Sequence, residues 1–406
     1  MSITGSSGSA SARRWRARAH APATQLSSEP SASTTSPTIE GAVSRVVAKI
    51  GTSSITDRAG AIDVGAIEKL CDEVAQLRVD GHDVVVVTSG AVSAGVAALG
   101  LAERPVDLPT LQALAAAGQS RLMRTYDDIF ATHGLVPAQV LLVPHDFVER
   151  RQYLHARQTL TRLLELGAVP IVNENDAIAD DEIRFGDNDR LAALVAHLVG
   201  ADLLVMLTDT PGVLTADPRL DANASLIEEV IGIDRAFEAQ MGGAGSLRGS
   251  GGMASKVAAA RIASWSGVRA VIAAADRPGV LLDAVAGVGG IGTVVHPHER
   301  RLSARKLWIA FAVAPSGVVA VDEGARRALV DGNRSLLPAG VTGLEGTFVA
   351  DDAIEVVGPD GVVFAKGLTR MDADALAQVT GRRTSELPEG WPHEVVHRDD
   401  LVVLPG

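Results

Sequence analysis

Cysteine is all but missing from this chain: Cys71 is the only one in 406 residues. A single thiol excludes an intrachain disulfide framework and any multi-thiolate zinc site. Aromatic side chains are scarce too, at 3%. The core therefore has to be built from Val, Leu, Ile and Ala, as in parallel sheets covered by helices. No run of about 18 apolar residues occurs, so no membrane-spanning helix is expected. The expectation is a soluble, cytoplasmic protein with no membrane partner. Positive charge is also in deficit. The formal net charge of −12 argues against wholesale binding to nucleic acid or to an anionic membrane. G-x-S-x-G is absent, which leaves hydrolase chemistry of the nucleophile-elbow kind without footing. Nothing matches G-x-x-x-x-G-K-[ST], so there is no P-loop.

Residues 1–40 differ in kind from the rest. Ser, Ala, Thr, Arg and Pro dominate, and Glu29 and Glu40 are the only acids. The segment has no apolar periodicity and is expected to be a disordered extension without catalytic consequence. Its Arg- and Ser-rich, acid-poor composition mimics a transit peptide.

Beyond residue 40 strand and helix patterns alternate. Buried strands are predicted at 45–50, 83–87, 138–143, 169–172, 203–207 and 270–274, with helices at 64–79, 109–133, 153–166, 191–199 and 253–264. Such alternation specifies a mostly parallel sheet with helices on both faces. After about residue 314, Gly and Asp punctuate short Val-rich runs at 318–321, 346–349, 353–357 and 362–365, which reads as a small antiparallel β-domain. The domains are accordingly 41–310 and 316–400, with the linker near 311–317.

Two polar elements stand out: Asn173-Glu174-Asn175-Asp176, directly after an apolar run, and Gly186-Asp187-Asn188-Asp189, ten residues later. Polar clusters at the carboxyl ends of strands are where open α/β sheets bind ligands. Amides together with carboxylates can hold an ammonium, a hydroxyl or a Mg²⁺ shell. Lys49 ends the first strand beside Gly51, and the strand at 83–87 ends in Thr88-Ser89-Gly90-Ala91. A compact ammonium next to flexible backbone suits a phosphate. Gly249-Ser250-Gly251-Gly252-Met253-Ala254-Ser255-Lys256 runs straight into a helix, presenting unpaired N–H groups and a positive helix end. Two lysines, two glycine-bearing loops and an amide–carboxylate cluster imply phosphoryl transfer from a nucleotide to a small polar acceptor. No histidine falls in these clusters, so no general base is evident. A carboxylate acceptor needs none, being ionised at neutral pH.

Lys49-Ile50-Gly51-Thr52-Ser53, Thr88-Ser89-Gly90-Ala91, the Asn173 and Gly186 elements, Thr208-Asp209 and Gly251-Gly252-Met253 with Lys256 resemble, in order and spacing, the glutamate 5-kinase branch of the amino acid kinase family. Val321-Asp322-Glu323-Gly324-Ala325 and Ser335-Leu336-Leu337-Pro338-Ala339-Gly340 resemble the PUA domain of its bacterial members. The resemblance implies an α/β fold of the amino acid kinase type, a mostly parallel sheet sandwiched by helices, followed by a small β-rich PUA-like domain. It further implies that ATP and L-glutamate give γ-glutamyl phosphate, with Mg²⁺ accompanying the nucleotide. Lys49 and Lys256 would hold the ATP phosphates. Ser89, Asp176 and Asn188 would bind glutamate, while Thr208, Asp209 and the segment from Ser250 through Lys256 would line the nucleotide pocket. Asp187, counted with the two lysines as catalytic, and Asp189 would organise lysine and Mg²⁺, and no residue is a firm protein ligand of the metal. Ser250, Ala254 and Ser255 depart from the usual Thr, Ser and Thr. L-Proline as feedback inhibitor, γ-glutamyl phosphate reductase as a partner and a homo-oligomer are implied by the resemblance alone.

Acetylglutamate and aspartate kinases share that fold, but the paired glycines after the first lysine are lacking here. An RNA-binding role for the tail is disfavoured: residues 315–406 hold 8 Lys/Arg and 15 Asp/Glu, hence −7, a surface that repels phosphates. His296-Pro297-His298 has no evident third ligand, so it is expected to be ordinary surface.

Overall fold

The computed structural model describes residues 15–17, 45–57, 60–147, 149–178, 188–218, 221, 223–233, 237, 252–299 and 301–404. Nine of its strands form one sheet: β1 (Trp15–Ala17), β2 (Arg45–Ile50), β3 (Asp83–Val87), β4 (Pro137–Leu142), β5 (Val169–Glu174), β6 (Leu203–Thr208), β7 (Ile227–Val230), β8 (Arg269–Ala274) and β9 (Gly292–Val295). The order is β1-β7-β9-β8-β6-β2-β3-β5-β4. From β8 through to β4 every neighbouring pair is parallel. Antiparallel pairing is confined to β8 with β9 and β1 with β7.

Eight helices of this domain matter here: α1 (Thr52–Ile55), α2 (Val64–Val79), α3 (Ala91–Ala98), α4 (Leu108–Thr132), α5 (Arg150–Glu165), α6 (Asn188–Val199), α7 (Met253–Trp265) and α8 (Val280–Ala286). Local chemistry starts several of them. Asp63 caps α2 by accepting from the Ala66 N–H, and Asp107 caps α4 by accepting from Thr110, where Pro109 suits the first turn. Alternation along β2 then divides the interior. Val46, Ala48 and Ile50 join one core with α2 and α4; Val47 joins the other with α5, α6 and α7. Lys49 shares the parity of Val47, so its side chain rises on the face covered by α6.

Of residues 1–44 only Trp15–Ala17 are described, as an edge strand paired with β7. That departs from a wholly unstructured extension. The outer edge of β7 carries unpaired backbone groups, and a short antiparallel strand covers them.

The second sheet contains β10 (Gly317–Val321), β11 (Val341–Gly346), β12 (Ala353–Val357), β13 (Val363–Thr369) and β14 (Val396–Val403), in the order β11-β10-β12-β13-β14. It is not purely antiparallel, because β10 and β12 run parallel. The strand expected at 346–349 lies instead at Val341–Gly346. It ends where Gly346 turns at φ +96°, against Ser316 and Gly317, too close for a side chain.

The junction is tighter than a linker. α9 (Ala304–Leu307) runs directly into a π-turn at Trp308–Ala312. Leu307 packs in the first domain's core, while Ile309 is buried with Ala353, Leu368, Val402 and Leu404 of the second. Arg305 pairs with Asp400 at 2.6 Å, and Lys366 donates to the Val313 carbonyl. The seam is apolar at its centre, with that ion pair and the buried lysine-to-carbonyl bond beside it. Ile309→Ala should therefore destabilise the whole chain by about 2–4 kcal/mol, measurable by denaturant unfolding. A change below about 0.5 kcal/mol would mean that the seam contributes nothing.

Candidate active site

Strand register gathers the polar elements on one edge. Lys49 lies opposite Met206 of β6 and Val87 of β3, and Val87 lies opposite Val172 of β5. The residues just beyond these positions (Gly51, Thr88-Ser89-Gly90, Asn173-Glu174 and Thr208-Asp209) therefore emerge side by side at the carboxyl ends of four adjacent parallel strands. Gly90 makes the turn from β3 into α3 possible with a φ of +97°. Behind it α3 and α4 touch backbone to backbone. A Cβ on Gly118 would fall 1.8 Å from the Ala91 carbonyl oxygen, so only glycine lets α4 approach the start of α3.

Asp189, in the first turn of α6, is the centre of the charged part. Its Oδ1 meets Lys49 Nζ at 2.6 Å and its Oδ2 meets Lys256 Nζ at 3.3 Å. Ser255 Oγ donates to Oδ2 at 2.6 Å and also contacts the Gly252 carbonyl at 2.8 Å. All three charged side chains are buried. Burial opposes ionisation of Asp189, but the two ammonium groups outweigh it and hold the carboxyl below its ordinary range. Counted alone, two ammoniums and one carboxylate carry a surplus positive charge. Beside them Gly252, in extended conformation with no side-chain cap, leads into α7. Its first turn offers N–H donors to an anion.

An amide cluster adjoins this centre. Asn188 Nδ2 donates to Ser89 Oγ at 3.1 Å, and Asn188 Oδ1 accepts from the Glu174 N–H at 3.2 Å. The Asn173 carboxamide accepts from the same N–H at 2.9 Å. Asp176 is 9% exposed and its Oδ1 has no hydrogen-bond partner among the described residues. Burial pushes its carboxyl up to about 6, against a weaker opposing pull from Arg104. It shares a small cleft with Gln119, Leu141, Glu174, Asn175 and four alanines. A buried carboxylate with an open oxygen is suited to receive a cation.

The structure thus joins Lys49, Lys256 and Ser255 through Asp189, and Ser89 to Asn188. Thr208 and Asp209 bond to each other at 3.1 Å, at the end of β6. Met253 and Ala254 open α7, with Met253 packed against the core. The Ser255 hydroxyl is turned onto Asp189. Asp187, Ser250 and Gly251 lie outside the described residues. Sequence reasoning missed Gln119, whose only sequence signal is its place directly after Gly118. Among the described residues no cluster of three His, Cys, Asp or Glu could hold a metal, and His298 stacks on Trp265, with ring centroids 3.8 Å apart.

Comparison with known proteins agrees with this geometry. The sequence profile of the amino acid kinase family matches residues 44–274, and that of the PUA domain matches residues 317–390. Relatives named glutamate 5-kinase include one from Pelobacter propionicus, 44% identical over 366 residues, covering 89% of this chain and 98% of its own length. One from Mycobacterium ulcerans is 46% identical over 360 residues, covering 88% and 96%. One from Rhodococcus jostii is 47% identical over 360 residues with the same coverage. With its parallel sheet, its lysine-bearing strand edge and a β-rich second domain, the chain belongs to the amino acid kinase family.

Proposed function

We propose that the protein transfers the γ-phosphoryl group of ATP to the γ-carboxylate of L-glutamate, giving ADP and γ-glutamyl phosphate, the first step of proline biosynthesis. The observation that carries this reading is the buried Lys49–Asp189–Lys256 centre, set between a glycine-led helix start and an amide–carboxylate cluster. The relatives' shared name supplies the acceptor.

The chemistry needs positioning and charge more than proton transfer. A glutamate side chain is ionised at neutral pH, so its carboxylate oxygen attacks phosphorus without a base. As the bond to ADP breaks, negative charge spreads over the transferring group, and the two ammoniums held by Asp189 would neutralise it. Asp176 would pair with the substrate ammonium, while Ser89 and Asn188 would fix the rest of the amino acid. Thr208, Asp209 and the start of α7 would border the nucleotide.

The donor set fits Mg²⁺ brought in on the nucleotide. Both oxygens of Asp189 are committed to lysine and serine, so this carboxylate is not open to the ion, as when substrate phosphates and water supply most ligands. When bound, the ion would supply further positive charge against the nucleotide phosphates. Inhibition by L-proline, a homo-oligomer and onward reduction by γ-glutamyl phosphate reductase belong to the same proposal, as does cytoplasmic residence. Among the described residues no helix is long and apolar enough to cross a membrane. Acetylglutamate fits less well than glutamate, because its uncharged amide would leave Asp176 buried without a cation.

Measuring ADP release with L-glutamate, L-aspartate and N-acetyl-L-glutamate, each with and without L-proline, tests the assignment. Glutamate should be turned over fastest, and equal or faster turnover of either other acid would overturn it. Lys49→Ala and Lys256→Ala should each lower kcat by about 10² or more. Near-normal turnover would remove that lysine from the mechanism.

Asp176 gives a second expectation, with opposite effects on binding and stability. Below about pH 6 its carboxyl becomes neutral and loses the ammonium, so KM for glutamate should rise as pH falls through that value. The folded-state pKa lies above the ordinary 3.8, so the free protein gains stability as pH falls from neutral through 6. At neutral pH the buried charge costs up to about 3 kcal/mol. Asp176→Asn should raise Tm while raising KM for glutamate far more than KM for ATP. A lowered Tm, or equal changes in both constants, would contradict this role.

A further inference from the structure

We propose that Gln119, on α4, is a positioning residue that holds the Asn173 carboxamide beneath the acceptor site. Its carboxamide is 7% exposed and lies between two others. Oε1 accepts from Asn173 Nδ2 at 2.9 Å, and Nε2 donates to Oε1 of the exposed Gln139 on β4 at 3.4 Å.

Each amide has one donor end and one acceptor end, so fixing one fixes the next. With Nδ2 given to Gln119, Asn173 must turn Oδ1 toward the Glu174 N–H. That N–H also faces Asn188 Oδ1, which leaves Asn188 Nδ2 as the donor to Ser89 Oγ. Ser89 is then an acceptor toward Asn188, and its own proton remains to be donated outward. A serine that donates suits a carboxylate-bearing acceptor; one that accepts would meet it lone pair to lone pair. The relay runs from the edge strand to the site through Gln139, Gln119, Asn173, the Glu174 N–H, Asn188 and Ser89. That N–H is a donor in any case and orients Asn188 itself, so Gln119 acts by keeping Asn173 and the N–H it meets in place. Packing keeps Gln119 in place. Gly118 presses on Ala91, and Gln119 lines the same small cleft as Asp176, where Ala91, Ala115 and Ala116 contribute no polar side-chain atoms.

This rests on the acceptor site of the proposed function, and the test separates the two. Gln119→Met keeps the length but removes the acceptor. Gln119→Glu keeps an acceptor toward Asn173 while adding charge. In steady-state assays Gln119→Met should raise KM for glutamate about tenfold, leaving kcat and KM for ATP within about twofold. Gln119→Glu should retain more of the affinity than Met does. A role in packing alone predicts the reverse order, with Met tolerated and Glu damaging, and that order would overturn the proposal. In an Asn173→Ala background Gln119→Met should have no further effect; full additivity would show that Gln119 does not act through Asn173. If Gln119→Met fails to fold, Gln139→Met, at the exposed end of the relay, should still raise KM for glutamate about two- to threefold, and no change there would sink the idea. Wild-type turnover in the same assays reports on the acceptor itself. If another carboxylate proves to be the substrate, its KM takes the place of that for glutamate, and only a flat response to these variants counts against the relay.

Discussion

One carboxylate, Asp189, holds two lysines that the chain supplies 207 residues apart. Burying three charged groups is expensive, and a pair or triad of this kind seldom stabilises a fold relative to apolar residues of similar volume. Its presence in the interior is better explained by what it presents than by what it stabilises. Asp189 sits in the first turn of α6, where the helix end favours negative charge. The parity of β2 delivers Lys49 to the same face, and the start of α7 delivers Lys256. Three elements must therefore pack in one arrangement for two ammoniums to share one carboxylate. The two cores on either side of the sheet provide that arrangement.

Two aspartates at the same sheet edge are tuned in opposite directions. Burial is the first influence on both. For Asp189 two ammoniums overcome it, and the carboxyl stays ionised. For Asp176 only the weaker influence of Arg104 opposes it, and the carboxyl is pushed up to about 6. Pairs of titratable groups whose environments drive them apart commonly mark different roles in one site. Here one carboxylate is permanently satisfied from within, while the other is left costly until a cation arrives. On the proposed function the first would organise the phosphate end and the second would select at the acceptor end, a division in which neither end calls for a proton to move.

Much of this was legible in the residues, for identifiable reasons. Lys49 shows itself because it ends an apolar run beside Gly51, and Lys256 because a glycine run feeds directly into its helix. The parallel sheet follows from alternating buried runs, and register then unites the loops that follow them. Gln119 was not legible. On an amphipathic helix an isolated polar residue reads as a solvent-facing position, and only the contact of Gly118 with Ala91 turns it inward. β14 was hidden for a related reason, because exposed Arg398 and Asp399 interrupt its apolar pattern. The strand placed at 346–349 failed because Val-rich composition marks a strand but not its register, which Gly346 sets through its backbone. The junction was read only in part: the linker expected near 311–317 runs on from residues 307–311, whose apolar side chains serve two cores in turn and so give no single period.

That junction bears on what the second domain can do. Its own charge of −7 disfavours phosphate-rich partners, and its sheet is joined to the first domain by buried side chains rather than by a flexible tether. Ile309 packs on β13 and β14, while Phe311 lies 5.1 Å beneath the Arg261 guanidinium of α7. A continuous line of contacts therefore runs from the second sheet to the helix whose first turn carries Lys256. Packed side chains move between discrete arrangements rather than yielding smoothly. The seam accordingly fixes α7 relative to the second sheet, and the phosphate-facing end of that helix inherits the constraint. On this geometry the second sheet and the helix that carries Lys256 meet through one short segment, Ile309 on one side and Phe311 on the other.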